Sequence, residues 1–276
     1  MRAASLAACA LLTVALGAGT PGQAPVRPRP DPSQRFSTLA AITPSNVSRL
    51  EVAWTAHTGE FAGGRGPNAG RPVPGFQTRP VLAGGRLIVT TTTSRVIALD
   101  PETGAELWRF DPFAKRPRTC EAPHRGVAVW PAAGVPPDAA FTIISGTCDG
   151  RLVALDARTG QPLPTFGDGG EVDLRPGADA RDGEEYSVTT PPAIYRDLAI
   201  VGTALPEGTP HGPSGDVRAF DVRTGREVWR FHTVPRDGEP GADTWSDGAR
   251  QRRTGVNAWG GVTVDRERGL VFAPLG

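Results

Sequence analysis

Apolar and polar positions along the chain form short runs that repeat three times. Val96-Ile-Ala-Leu, Leu152-Val-Ala-Leu and Val217-Arg-Ala-Phe each end at an aspartate, Asp100, Asp156 and Asp221, which opens an Asp-x-x-Thr-Gly step. A second run follows the step: Glu106-Leu-Trp-Arg-Phe110, then Pro162-Leu-Pro-Thr-Phe166, then Glu227-Val-Trp-Arg-Phe231. Runs this short, rich in branched and aromatic residues and bounded by turn formers, predict β-strands. The glycine closing each step, Gly104, Gly160 or Gly225, can take the positive φ a tight turn requires. A further strand is predicted before each copy, at residues 86–91, 141–145 and 198–203. The three aspartates lie 56 and 65 residues apart, and a period of that length built from strands predicts the blades of a propeller. Near-continuous apolar strands suit sheets covered on both faces by their neighbours, with Trp108 and Trp229 as wedges between blades.

Composition narrows the picture further. Thirty-five glycines and 28 prolines leave little room for long helices. A net charge of +1 without a basic block gives no reason to expect nucleic acid or an anionic membrane surface as partner. Residues 1–24 read as a signal peptide, with Arg2 at the start, an apolar run at residues 6–16 too short to span a bilayer, and the small Ala24 at its end. Export is expected, with a periplasmic destination. Residues 25–35, rich in Pro and Arg, read as a disordered linker, and residues 36–276 as the propeller domain. No later stretch is long and apolar enough to cross a membrane as a helix. Without the leader, Cys120 and Cys148 are the cysteines that remain. In an oxidising compartment they form a disulfide or stay as two buried thiols, and spacing does not decide between them.

The repeat resembles the blade motif of the quinoprotein dehydrogenases that use pyrroloquinoline quinone (PQQ), and the segment from Arg35 to Trp54 looks like that family's opening strand. The resemblance implies an all-β fold: a partial eight-bladed β-propeller of antiparallel four-stranded blades, with about half the blades present. It implies PQQ and Ca²⁺ as cofactors.

Departures from the plain repeat carry the candidate site. The two middle strands are joined tightly in the first two copies, around Thr92 to Arg95 and Cys148 to Arg151, but by the long Ala204-to-Gly215 loop in the third. An insertion at one end of a rigid scaffold is where functional loops belong. Glu207 is the carboxylate of that loop, and it resembles the acidic calcium ligand of the family. Arg125, followed by Gly126 and an apolar strand, matches the arginine that binds PQQ, whose carboxylates suit a guanidinium fork. Trp259 precedes its strand instead of closing a hairpin and matches the indole that lies flat on the quinone. Gln77 and Thr189 match family positions that hydrogen-bond the same cofactor. Alcohol-oxidising members carry two adjacent cysteines where this chain has Thr119 and Cys120, and glucose-oxidising members a histidine where Glu121 stands, so the chain follows neither subgroup.

For the whole enzyme the resemblance implies an alcohol or sugar hydroxyl oxidised by hydride transfer to PQQ. Calcium acts as Lewis acid and a downstream aspartate as base. Electrons then leave to a cytochrome or ubiquinone. The aspartate and an asparagine calcium ligand are expected beyond residue 276, so the chain reads as an inactive N-terminal fragment. Scaffold propellers of the same repeat superfamily, without quinone or metal, are the alternative.

Overall fold

A computed structural model describes residues 39–60, 75–118, 120, 122–130, 140–206, 211–246, 248 and 256–276. The chain divides into a unit ending at Val47 and a unit running from Ser48 to Gly276. In the first, Asn46 closes a turn: its Oδ1 accepts the Thr43 amide at 2.7 Å and its Nδ2 donates to the Ala41 carbonyl at 2.8 Å.

The second unit is built from antiparallel sheets taken in chain order. The first blade comprises β1 (Val81–Ala83), β2 (Arg86–Thr90), β3 (Val96–Leu99) and β4 (Glu106–Phe110). The second comprises β5 (Ala128–Trp130), β6 (Thr142–Gly146), β7 (Arg151–Asp156) and β8 (Glu171–Asp173). The third comprises β9 (Ala193–Tyr195), β10 (Leu198–Val201), β11 (Val217–Asp221) and β12 (Glu227–Phe231). A hairpin, β13 (Thr263–Asp265) and β14 (Leu270–Phe272), begins a fourth. The expected partial propeller of four-stranded blades is therefore present.

Side chains alternate between the two faces of a strand, and both faces of the second blade are buried. Ile143 and Leu155 join Ile88, Val96 and Ala98 of the first blade. Ile144, Leu152 and Ala154 join Ile194, Ala199 and Phe220 of the third. In the second blade the continuous apolar runs exist because the sheet has a neighbouring sheet on either side.

The Asp-x-x-Thr-Gly steps are the β3–β4 turn and its equivalents. Asp100 Oδ1 accepts from the amides of Glu102 (3.0 Å) and Thr103 (2.8 Å) and from the Thr103 hydroxyl (2.9 Å). Asp221 repeats this pattern with Arg223 and Thr224. The Trp wedges dock on these turns. Trp108 Nε1 donates to the Ala157 carbonyl of the next blade at 3.1 Å, and a Cβ on Gly160 would fall inside its ring. Trp54 Nε1 donates to Pro101 in the same way, at 3.1 Å, with its ring over Gly104. Trp229 is half-buried against the core shared by the third blade and the fourth hairpin.

One expectation fails in the second blade. The run ending at Phe166 is not a strand, because Pro162 and Pro164 lack the amides that would bond to β7. A single bridge, Leu155 to Pro162, is what remains. The chain turns back at Phe166, which is fully buried, and the fourth strand is formed later, by Glu171–Asp173 paired with residues 151–153. The wedge is replaced accordingly: Val172 covers Gly225 of the third blade, and the Gly167 amide donates to Thr224 O at 2.9 Å.

Candidate functional site

Four of the five residues singled out from the sequence occupy equivalent places in successive blades. Gln77, Thr189 and Trp259 each stand four residues before the first strand of a blade, and Arg125 stands three before. The backbones of these lead-in segments are stitched together. The Arg79 amide donates to Arg125 O at 3.2 Å, and the Arg125 amide to Thr189 O at 2.8 Å. Thr190 Oγ1 donates to the Trp259 carbonyl at 2.5 Å. Gly126 takes φ 121, and a Cβ there would lie 2.9 Å from Arg79 O, so the close approach of the first two segments needs glycine.

Three of the side chains meet. Arg125 Nη1 donates to Thr189 Oγ1 at 2.9 Å, and the Arg125 guanidinium carbon lies 5.4 Å from the centroid of the Trp259 ring. Trp259 is 43 % exposed, so its indole remains accessible. Burial pulls the Arg125 guanidinium below its ordinary pKa, and among the described residues no carboxylate pairs with it. A part-buried cation without an anionic partner, beside an aromatic plane, is built to receive a planar anion.

The other two residues fare differently. Gln77 is exposed, and among the described residues no hydrogen bond joins its side chain to the cluster, although its neighbour Thr78 contacts Thr90 at 2.8 Å. Glu207 lies outside the described residues. The loop that carries it leaves the third blade beside Thr189, because Ala204 and Ser187 exchange backbone bonds at 2.8 and 3.1 Å. Among the described residues no group of three or more His, Cys, Asp or Glu could hold a metal ion. His211 lines a separate cavity of about 540 Å³ with Asp179, Asp216 and His232, and none of the four described candidates is among its lining residues.

Two features of the site were not legible in the sequence. Cys120 and Cys148, whose pairing was open, form a disulfide across 28 residues that ties the lead-in of Arg125 to the β6–β7 turn. His124 is buried between blades, with Nδ1 2.9 Å from Thr90 Oγ1 and Nε2 2.9 Å from the Gly146 carbonyl. Burial pushes its pKa down to about 4. It sits in a loop without hydrophobic periodicity, so the residue pattern gave no signal for it.

At the far end of the described chain, Asn257 exchanges backbone bonds with Gly276 at 3.3 and 3.0 Å, and a Cβ on Gly276 would lie 2.9 Å from Trp259 Nε1. The final residue thus sits at the edge of the indole.

The fold has known relatives. The family model described as PQQ, glucose/ethanol/alcohol dehydrogenase, beta-propeller domain, matches residues 28–276. The glycerol dehydrogenase large subunit of Gluconobacter thailandicus is 33 % identical over 261 residues, which cover 90 % of this chain and 33 % of that protein. Quinoprotein glucose dehydrogenase A of Acinetobacter calcoaceticus is 30 % identical over 264 residues, 88 % of this chain and 31 % of that one. Among solved structures, a quinohemoprotein alcohol dehydrogenase of Pseudomonas putida superposes with a TM-score of 0.59 at 30 % identity, over 73 % of this chain and 28 % of that one. A europium-containing methanol dehydrogenase gives a TM-score of 0.61 at 25 % identity, over 84 % and 38 %. The chain spans about a third of the length of the curated relatives it matches.

Proposed function

Since the chain belongs to the PQQ glucose/ethanol/alcohol dehydrogenase β-propeller family, we propose that it supplies one side of the cofactor site of a PQQ- and calcium-dependent dehydrogenase acting on an alcohol or sugar hydroxyl. One observation carries the reading: the Arg125 guanidinium, part-buried and without a carboxylate partner among the described residues, is held between the Thr189 hydroxyl and the Trp259 ring. That donor set fits PQQ, a planar quinone bearing carboxylates.

In this reading Arg125 clamps a cofactor carboxylate by charge-assisted bonds, and Thr189 fixes the direction of the guanidinium. Trp259 offers the aromatic platform, and Gln77 adds a hydrogen bond from the first blade. Glu207 is the calcium ligand this chain contributes, and the catalytic base comes from elsewhere in the protein. When bound, PQQ supplies the acceptor for hydride from the alcohol carbon, and calcium the Lewis acid beside it. The two electrons then pass to a cytochrome or ubiquinone. Export by residues 1–24 and a periplasmic location complete the proposal.

The test is reconstitution of a protein of the relatives' full length carrying this chain, with PQQ and Ca²⁺, followed by dye reduction with a panel of alcohols and aldoses. Retained quinone absorbance with substrate-dependent dye reduction is expected. Absence of both, with every substrate, assigns the propeller to a binding scaffold instead.

A further inference from the structure

The segment that delivers Arg125 is anchored at several points to the blades on either side. The disulfide fixes Cys120 to Cys148. Cys148 in turn donates its amide to Ser94 Oγ at 3.0 Å, in the β2–β3 turn of the first blade. The Ala122 amide reaches Thr92 O at 3.4 Å. His124, only 3 % exposed, then spans the gap between β2 and β6.

The hydrogens of this bridge follow from its acceptors. The Gly146 carbonyl can only accept, so Nε2 carries the imidazole proton and Nδ1 is the acceptor. The Thr90 hydroxyl therefore donates to Nδ1. Thr78 Oγ1, 2.8 Å from Thr90 Oγ1 and accepting the Thr90 amide at 3.1 Å, donates its own hydroxyl into the same chain. A directed series thus runs from Thr78, next to Gln77, through Thr90 and His124 to Gly146. Arg125 follows His124 directly, and its amide bonds to Thr189 of the third blade.

We propose that His124 is a positioning residue for Arg125: by bridging the first and second blades as a neutral imidazole, it presets the backbone from which the guanidinium reaches the cofactor. The proposal rests on the reading that Arg125 holds the quinone. A long side chain loses rotamer freedom when it binds, and a fixed anchor reduces that loss.

The experiment measures PQQ affinity by equilibrium titration and, without cofactor, hydrogen exchange of the Arg125 amide, in the full-length protein. His124→Phe should weaken affinity at least tenfold and speed exchange of the Arg125 amide at least tenfold. His124→Gln, which can donate to Gly146 and accept from Thr90, should stay within about threefold of the parent. Thr90→Val, which keeps volume and removes one hydroxyl, should shift both readouts in the same direction as His124→Phe and serves where that variant does not fold. In an Arg125→Ala background His124→Phe should cost less than twofold more. An additive loss in that background, or an Arg125 amide that stays protected in both His124→Phe and Thr90→Val, overturns the proposal. Should the parent protein take up no PQQ, the cofactor reading fails separately, and the exchange measurement alone decides the positioning role.

Discussion

Arg125 and Thr189, in neighbouring blades, are joined twice: amide to carbonyl at 2.8 Å and guanidinium to hydroxyl at 2.9 Å. The double link couples where the Arg125 backbone sits to where its charge points. The buried arginines that cross the blade boundaries elsewhere, Arg151 and Arg218, are paired with carboxylates, whereas among the described residues Arg125 is not.

Replacing that cation should separate binding from folding. Arg125→Ala is expected to cost about 2–4 kcal/mol of PQQ affinity, thirtyfold or more, as for loss of a charged hydrogen-bonding partner in a part-buried site. Arg125→Lys keeps charge but not the fork and should recover only part of the loss. Quinone absorbance in an equilibrium titration reads both, and unchanged affinity in Arg125→Ala removes the residue from the site.

Glu207 governs a different dependence. Glu207→Gln should raise the calcium concentration that half-saturates cofactor retention by about tenfold or more, because the neutral amide is a weaker ligand for a hard cation. Calcium titration after chelator treatment gives the measurement. An unshifted midpoint shows that the metal takes its carboxylate from elsewhere.

The inter-blade wedge should matter to stability and not to the cofactor. Trp108→Ala removes a large ring and the Nε1 bond to Ala157, a loss of about 3 kcal/mol by analogy with aromatic truncations in cores. Urea unfolding should show it, while PQQ affinity of the folded protein stays within twofold.

The buried His124 makes stability depend on pH. Its folded pKa, about 4, lies below the ordinary 6.5. Above pH 6.5 neither state holds the extra proton. Between 6.5 and about 4 the unfolded chain gains it first, so stability falls as pH falls through that window. The full loss, on the order of 3 kcal/mol, is reached below pH 4. His124→Gln should flatten that part of the profile in denaturant melts taken from pH 7 to pH 4, and a slope unchanged by the substitution contradicts the assignment.

How much of this was legible in the residues follows from what each element depends on. The steps at Asp100, Asp156 and Asp221 are local: an aspartate, a threonine and a glycine satisfy one another within five positions, so the pattern alone exposes them. The joining of Arg125, Thr189 and Trp259 is long-range and was reached through family resemblance, which knows the blade arrangement that local pattern does not contain. The strand expected to end at Phe166 failed because its prolines outweighed the repeat. His124 and the disulfide escaped because both depend on which turns of two blades face each other.

The joints between blades are not chemically alike. The indole of Trp54, ahead of the first blade, donates to that blade's turn at Pro101, and the indole of Trp108 in the first blade donates to the turn of the second at Ala157. At the third joint, between the second and third blades, a valine methyl and a main-chain amide cover the Gly225 turn, and the indole of Trp130 donates instead to the Arg196 carbonyl between β9 and β10 at 3.1 Å. Oxidants and ultraviolet light that convert tryptophan to ring-opened products would therefore remove an indole contact at each of these joints, and at the third the Val172 contact and the Gly167 amide bond would remain.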